Sequence, residues 1–471
     1  MPKDLRTFIE KLEREAPEHI LRVSKEINCA YEIPALLQHL EDLGKYPMVI
    51  FENTTNLRGE KSKFPVITNV TASRERVAMA IDSTIKRVAM DYVAREKKPI
   101  EPVVIPSSEA PVKEVKKIGK DVDLFEFPII THHEMDIGPY ISAGDVWSKD
   151  PETGDVNCAV LRIWAKEKNK VSIYFLPVRH TYYYYKKYVA QNRPMPIAIC
   201  IGHHPAFYIG AQAKVLAAEL RTIGTMLGEP LELTPSETWG KDFYVPARAE
   251  IIIEGEVSPD KLEIEAPFGE FTGYYGAQQL SYVADIKAVT YRKDAIYQDN
   301  FAGHPDHLIM DNPSIEAIVL AKLKEIVPTI QNVYVPPSGA GRFHAYVQLK
   351  KTDDAEPKTV IAATFTADYR IKHVWVVDDD IDIFNEQKVF WAMATRFQGD
   401  KDLVIIKDMI GTPLDPSIVD GRKTTKMGFD CTKPAPPQPF ERALTLPEDV
   451  LKRIRLEDYI SEEKLKILKT E

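Results

Sequence analysis

Between residues 140 and 300 the chain is dominated by short runs rich in β-branched and aromatic residues. They are YISAGDVW, CAVLRIWAK, KVSIYFLPV, PIAICIG, EIIIEGEV and QLSYVADIKAVTY. Helical periodicity breaks this stretch at 209–226 (IGAQAKVLAAELRTIGTM). On both sides of it, helix-periodic segments alternate with short strands. A β-rich block of this size must bury its sheet faces against other layers, which excludes a helical bundle and favours an α/β class. At 471 residues and about 150 per domain, two or three domains are expected.

Toward the N-terminus, Leu5, Phe8, Ile9, Leu12 and Ile20 predict an amphipathic helix over 4–20, and a second follows Glu32 and ends at Gly44. Strands are expected at 47–52 and 64–69, then a helix over 72–96 opening near Ser73. EPVVIPSSEAPVKEV, from 101, is a Pro-rich entry to a new unit. Beyond 300 the pattern predicts a helix at 303–324, strands at 331–335, 343–349 and 371–377, and a helix at 386–396. MGFDCTKPAPPQPFE, near 427–441, is a Pro-rich exit. The tail from 447 (Val450, Leu451, Ile454, Leu456, Ile460, Leu465, Leu468) predicts a helix that docks on the body or on a partner subunit.

With 61 Lys plus Arg against 70 Asp plus Glu, the net charge of −9 disfavours general nucleic-acid binding, which needs a positive surface. The N-terminal residues are charged throughout with no apolar signal region. Apolar runs such as VIAATF at 360–365 are far short of the roughly 20 residues of a membrane span. Cys29, Cys158, Cys200 and Cys431 form no CxxC pair, as expected of a reduced, cytoplasmic chain with buried thiols.

The densest polar, aromatic and glycine cluster is EAPFGEFTGYYG at 265–276. Glu265 and Glu270 flank a proline and a glycine, so a turn rather than a helix carries them. Brought to one pocket, two carboxylates cannot both ionise cheaply, and one is pushed toward a pKa suited to proton donation. The alternative is a surface turn with solvated glutamates. Asn157, His180 and Glu219 together would make a hard donor set for Mn²⁺ or Mg²⁺, but spacing does not assemble them. His180 is expected at a strand end, and a lone Glu219 in an Ala-rich helix usually faces solvent. Asn157 and Arg162, five apart, face opposite sides of a regular strand.

Other features carry less. VDDDID at 377–382 lacks the ligand spacing of a calcium loop, and His203-His204 lacks the HExxH spacing of a zinc protease. Tyr182–Tyr185 suits core or interface packing more than ligand stacking. TIGTMLGE has no Walker lysine, and GxGxxG is absent.

Several segments in combination resemble the UbiD-like reversible decarboxylases: DPETGDVNCAVLRIW, LPVRH, AAELRTIGTMLGEPLEL, YVPARAEIIIEG and EAPFGEFTGYYG. DVDLFEFPIITHHEMDIGPYI, VVDDDIDIF, WAMATR and GTPLDPS fit as well, so the similarity spans essentially 1–440. The resemblance implies an N-terminal α/β region (1–110), a central split β-barrel flavin-binding domain (111–302), a C-terminal α/β oligomerisation domain (303–440) and a helical tail (441–471). It implies prenylated FMN, with Mn²⁺ (or Mg²⁺) and K⁺ at its phosphate. The metal ligands would fall on Asn157, His180 and Glu219, and cofactor contacts on these with Arg162 and Arg179. The catalytic network would fall on Glu270, Arg162 and Glu265, with Glu270 the general acid.

The implied reaction is reversible, non-oxidative (de)carboxylation of an aromatic, heteroaromatic or α,β-unsaturated acid, through a covalent substrate–cofactor adduct. Implied partners are the acid, CO₂, a flavin prenyltransferase and further copies, as a homodimer or homohexamer. The alternatives are the catalytic subunit of a multisubunit phenolic-acid or aromatic acyl-CoA (de)carboxylase, a non-catalytic flavin-binding assembly subunit, and a metal hydrolase on Asn157, His180 and Glu219. Two positions depart from the family pattern. Thr366 stands where a flavin-pocket lysine is usual, with Arg370 or Lys372 nearby to compensate, and Ala266 stands where glycine is usual.

Overall fold

The computed structural model describes residues 2–465 except Val178, 214–217, Ala266 and Asp420. Two α/β parts flank a central β-sheet-rich region, as the sequence texture predicts. Among the described residues the chain forms four sheets. The largest is built on one long antiparallel pair, Ile251–Glu265 and Gln279–Tyr291, whose register runs from Ile251 opposite Tyr291 to Glu265 opposite Gln279. Met195–Ile201 pairs with the first of these, and Lys170–Ile173 and Val115–Ile118 with the second. Asp145–Lys149, Val156–Val160, Ile163–Glu167 and Tyr140–Ile141 extend the sheet outward. Ile197, Ile199, Ile251, Ile253 and Ile286 alternate into one buried core.

At the N-terminus Asp4 caps helix Leu5–Glu15 in a reciprocal capping box with Thr7, and Leu5, Phe8, Ile9 and Leu12 are buried. The helix is shorter than its apolar spacing predicts. Pro17 follows it, and Ile20 opens strand Ile20–Val23 instead. Helix Glu32–Asp42 gives way to Gly44 at φ +68°, and strands Met48–Phe51 and Val66–Thr68 lie where expected. The single helix predicted over 72–96 is two, Arg74–Ala80, capped by Ser73, and Val88–Glu96. Between them Asp82 sits at φ +47°, which no helix can continue through.

The C-terminal sheet is mixed, in the order Ile330–Tyr334, His344–Leu349, His373–Asp378, Lys423–Cys431, Leu403–Ile410. Helices Asn312–Ile326, Glu356–Ala367 and Glu386–Arg396 accompany it. Helix Glu356–Ala367 holds the apolar run VIAATF, whose Val360, Ile361, Thr364 and Phe365 are buried at helical spacing while Ala362 is exposed. Strand Lys423–Cys431 contains MGFDC, so the Pro-rich exit begins only after Cys431. Among the described residues the tail is α-helical over Glu448–Arg453, makes a 3-10 turn at Leu456–Asp458 and turns helical again from 462. Leu451, Ile454 and Leu456 are exposed, Leu465 is buried, and Leu468 lies outside the described residues. No helix of the described residues is long and apolar enough to cross a membrane.

Candidate active site

The long strand pair opens at Glu265 and Gln279, and the chain between them folds into a tight turn. The Glu270 N–H donates to the Tyr274 carbonyl at 2.9 Å, and that of Gly276 to the Phe268 carbonyl at 2.9 Å. Glu265 ends the strand with no exposed surface, and Glu270, in the turn, is 9% exposed. The surface-turn alternative therefore fails, because both carboxylates point inward.

Arg162 lies between them. It follows strand Val156–Val160 and precedes Ile163–Glu167, so the strand alternation that would send it away from Asn157 has already ended. Its Nε and Nη2 donate to the two oxygens of Glu265, each at 3.1 Å, while Nη1 donates to Oε1 of Glu270. The Tyr140 hydroxyl donates to Glu265 Oε1 at 3.2 Å. Tyr174 and Phe268 stack on the guanidinium at 4.9 and 5.8 Å.

One cation thus faces two buried carboxylates. Burial pushes the Glu265 carboxyl up, with the Arg162 charge and the Tyr140 hydrogen bond opposing and the Glu270 charge adding. Burial likewise pushes Glu270 up against Arg162, and Asp136 adds to the rise. The two carboxylates interact across Arg162, and the network favours one retained proton. Glu265 accepts three hydrogen bonds and Glu270 accepts one from Arg162, so the proton resides more easily on Glu270.

Arg162 and Glu270 face a cavity of about 590 Å³. Asn157, Arg179, His180 and Thr181 line it from the central region, and Arg342, Tyr369, Arg370 and Leu414 from the C-terminal part. His180 is not at a strand end. The strand stops at Ile173, and His180 opens helix His180–Ala190, in which Tyr184 and Tyr185 pack into the core and Tyr183 is exposed. Glu219 opens helix Glu219–Leu227 and is 1% exposed, not solvent-facing. Among the described residues neither Glu219 oxygen has a hydrogen-bond partner, and the nearer lies 3.8 Å from His180 Nδ1. The Asn157 amide donates to Thr181 Oγ1 at 2.9 Å, beside His180.

Thr366 is exposed and bonds back to the Ala363 carbonyl within its helix, so the cavity is lined by Arg370 in its stead. Arg370 is held by Asp368 (2.7 Å) and Asp311 (3.3 Å), and Lys372 pairs with Asp415 at 2.8 Å. Ala266 lies outside the described residues. Residue-level reading missed Tyr140, Tyr174, His307 and Arg342. His307, half-buried on the cavity wall, is pulled down to about 4 by desolvation and the Arg342 charge, so it is neutral. Each of these comes from a separate element, and only the DIGPYI segment around Tyr140 carried a signal.

Three family models match consecutive parts of the chain. They describe the N-terminal, Rift-related and C-terminal domains of 3-octaprenyl-4-hydroxybenzoate carboxy-lyase, over residues 10–95, 103–305 and 309–431. The chain is 31% identical to the anhydromevalonate phosphate decarboxylase of Methanothermobacter thermautotrophicus, over 93% of this chain and 99% of that one. It is 33% identical to the phenolic acid decarboxylase of Sedimentibacter hydroxybenzoicus, over 94% of each. The FMN complex of the UbiD-class enzyme HmfF from Pelotomaculum thermopropionicum superposes with a TM-score of 0.89 at 35% identity, covering 97% of this chain and all of that one. With the Glu–Arg–Glu cluster on a flavin-sized cavity, these matches place the chain in the UbiD family of prenylated-FMN-dependent (de)carboxylases.

Proposed function

We propose that this carboxy-lyase acts on a flat aromatic, heteroaromatic or α,β-unsaturated carboxylic acid, with Glu270 as the general acid. The carrying observation is the Arg162 fork. One guanidinium binds Glu265 through two hydrogen bonds and Glu270 through one, at the wall of the cavity. The volume of about 590 Å³ lies in the range of small-molecule and cofactor sites. Phe271, Met310 and Leu414 add apolar wall to it, which suits a planar ring beside the flavin.

When bound, prenylated FMN supplies the electron sink for the carbon that releases CO₂. Arg162 orients the substrate carboxylate, Glu265 with Tyr140 fixes Arg162 in place, and Glu270 delivers or receives the proton. Carboxylation uses the same groups in reverse.

Asn157, His180 and Glu219 fit a divalent ion. Glu219 offers an otherwise unpartnered buried carboxylate, His180 an imidazole and Asn157 an amide, a set suited to Mn²⁺ or Mg²⁺ at the cofactor phosphate. No cluster of three His, Cys, Asp or Glu exists among the described residues, and here the third donor is the amide. Arg179, on the same cavity wall, completes the phosphate contacts. For K⁺ no ligand set emerges among the described residues.

A flavin prenyltransferase would supply the cofactor. Self-association as a homodimer or homohexamer belongs to this reading, supported by exposed Phe390, Trp391, Ile405 and Ile410 on the C-terminal part.

The test is purification after coexpression with a flavin prenyltransferase, followed by absorbance and CO₂ release across benzoates, hydroxybenzoates, heteroaromatic acids, cinnamates and aromatic CoA thioesters. A bound modified flavin and release from at least one class are expected. Neither modified flavin nor CO₂ exchange on any of them would sink the reading.

A further inference from the structure

The segment His132–Ile141 contacts no substrate in the reading above, yet the Glu270 turn is fastened to it. Asp136 is 8% exposed, and its two oxygens face two backbone amides. Oδ1 accepts from the Gly269 N–H at 3.1 Å, one residue before Glu270. Oδ2 accepts from the His133 N–H at 2.9 Å and lies 3.4 Å from His133 Nδ1.

Gly269 lies flat against the His133 ring, where a Cβ would collide with the imidazole. On the far side of the turn the Tyr275 hydroxyl accepts from the Met135 N–H at 3.2 Å, and Gly269 bridges Tyr275. The turn is thus pinned at both ends to one loop, and the pin nearest Glu270 is an ionisable carboxylate.

We propose that Asp136 is a positioning residue for Glu270, fixing the turn through the Gly269 amide and setting a negative charge beside the acid. This rests on Glu270 being the proton donor.

The groups facing Glu270 are Arg162, from the connection after strand Val156–Val160, Glu265 at the end of the long strand, Tyr174 beyond strand Lys170–Ile173, and Asp136. Those facing Asp136 are His132, His133 and Tyr140. Arg162 favours the ionised acid and Asp136 opposes it, so removing the Asp136 charge makes Glu270 give up its proton at lower pH.

The experiment compares holoenzyme carrying D136N, D136A or E270Q with the unsubstituted holoenzyme, measuring kcat and KM from about pH 5 to 9 and cofactor content by absorbance. D136N keeps an acceptor for the Gly269 amide, gives up the one for the His133 N–H, and loses the charge. Its alkaline limb should move down by roughly half to one pH unit, with kcat on the acid plateau within about threefold. D136A loses charge and acceptor. Its kcat should fall about tenfold or more at all pH, with KM within about threefold and cofactor content unchanged. A D136N profile superimposed on the original, or D136A turnover within about twofold, overturns the proposal. If D136A fails to fold, the D136N profile decides alone. Turnover surviving in E270Q would instead overturn the acid role of Glu270 itself.

Discussion

At the scale of single residues, the site turns on the mismatch between one buried cation and two buried carboxylates. Arg162 cannot neutralise both, which favours a retained proton, and Glu270 is the partner with less hydrogen bonding from the protein. Glu270→Gln keeps size and polarity but cannot deliver a proton. Turnover should fall by about a hundredfold or more with cofactor content unchanged, read by CO₂ release and absorbance on the same sample. The pH dependence has a definite sign. In the proposed role Glu270 acts protonated, and burial raises its pKa, so activity should persist above the ordinary carboxylate range and fall as pH climbs through the raised value. A kcat/KM profile measured with holoenzyme checks this. Residue types alone left Glu265 and Glu270 open as a solvated pair, because burial is decided by what packs over a turn.

At the scale of elements, the turn between the two long strands is built with little room to spare. A methyl on Gly276 would lie 3.2 Å from Glu270 Cγ and Oε1 and 3.4 Å from Arg162 Nη1. Gly276→Ala should therefore cost more in activity than in stability. A drop in kcat of about tenfold is expected from displaced reacting groups, with the urea midpoint nearly unchanged. Elements with a clear stripe were legible in the sequence, as at Leu5, Phe8, Ile9 and Leu12, and the helix at 386–396 matches Glu386–Arg396. Helix Glu356–Ala367 was not: it buries Pro357, Val360, Ile361, Thr364 and Phe365 on one face, but Ala362, Ala363 and Ala367, apolar yet outside that buried set, blur the stripe in the sequence. The break at Asp82 and the helix opening at His180 were missed for another reason. Each depends on backbone conformation that the neighbouring apolar spacing does not encode.

At the scale of the whole molecule, the parts are joined by buried polar contacts as well as apolar ones. Arg74, from helix Arg74–Ala80, makes two 2.8 Å hydrogen bonds to Glu316 of helix Asn312–Ile326. Glu316 has no exposed surface and also accepts from the Val335 N–H at 3.0 Å. Glu316→Ala would leave the Arg74 charge buried without its carboxylate. A loss of about 3–5 kcal/mol is expected, visible as a lower denaturation midpoint. The cavity is likewise a property of the assembled chain, with Arg162 and Glu270 on one wall and Arg342, Tyr369 and Arg370 on the other.

The sequence by itself determined the α/β class, the β-rich middle, most periodic elements and, through its combination of motifs, the family. These are carried by local periodicity and by the order of residues along the chain. Tertiary structure decided that Glu265 and Glu270 are buried on one arginine, that Glu219 faces inward with both oxygens unpartnered, and that Arg370 rather than Thr366 meets the cavity. Those outcomes depend on desolvation and on contacts between residues a hundred or more positions apart. No local pattern specifies what will lie across such a distance, and the proton affinity of a carboxylate follows from what lies there.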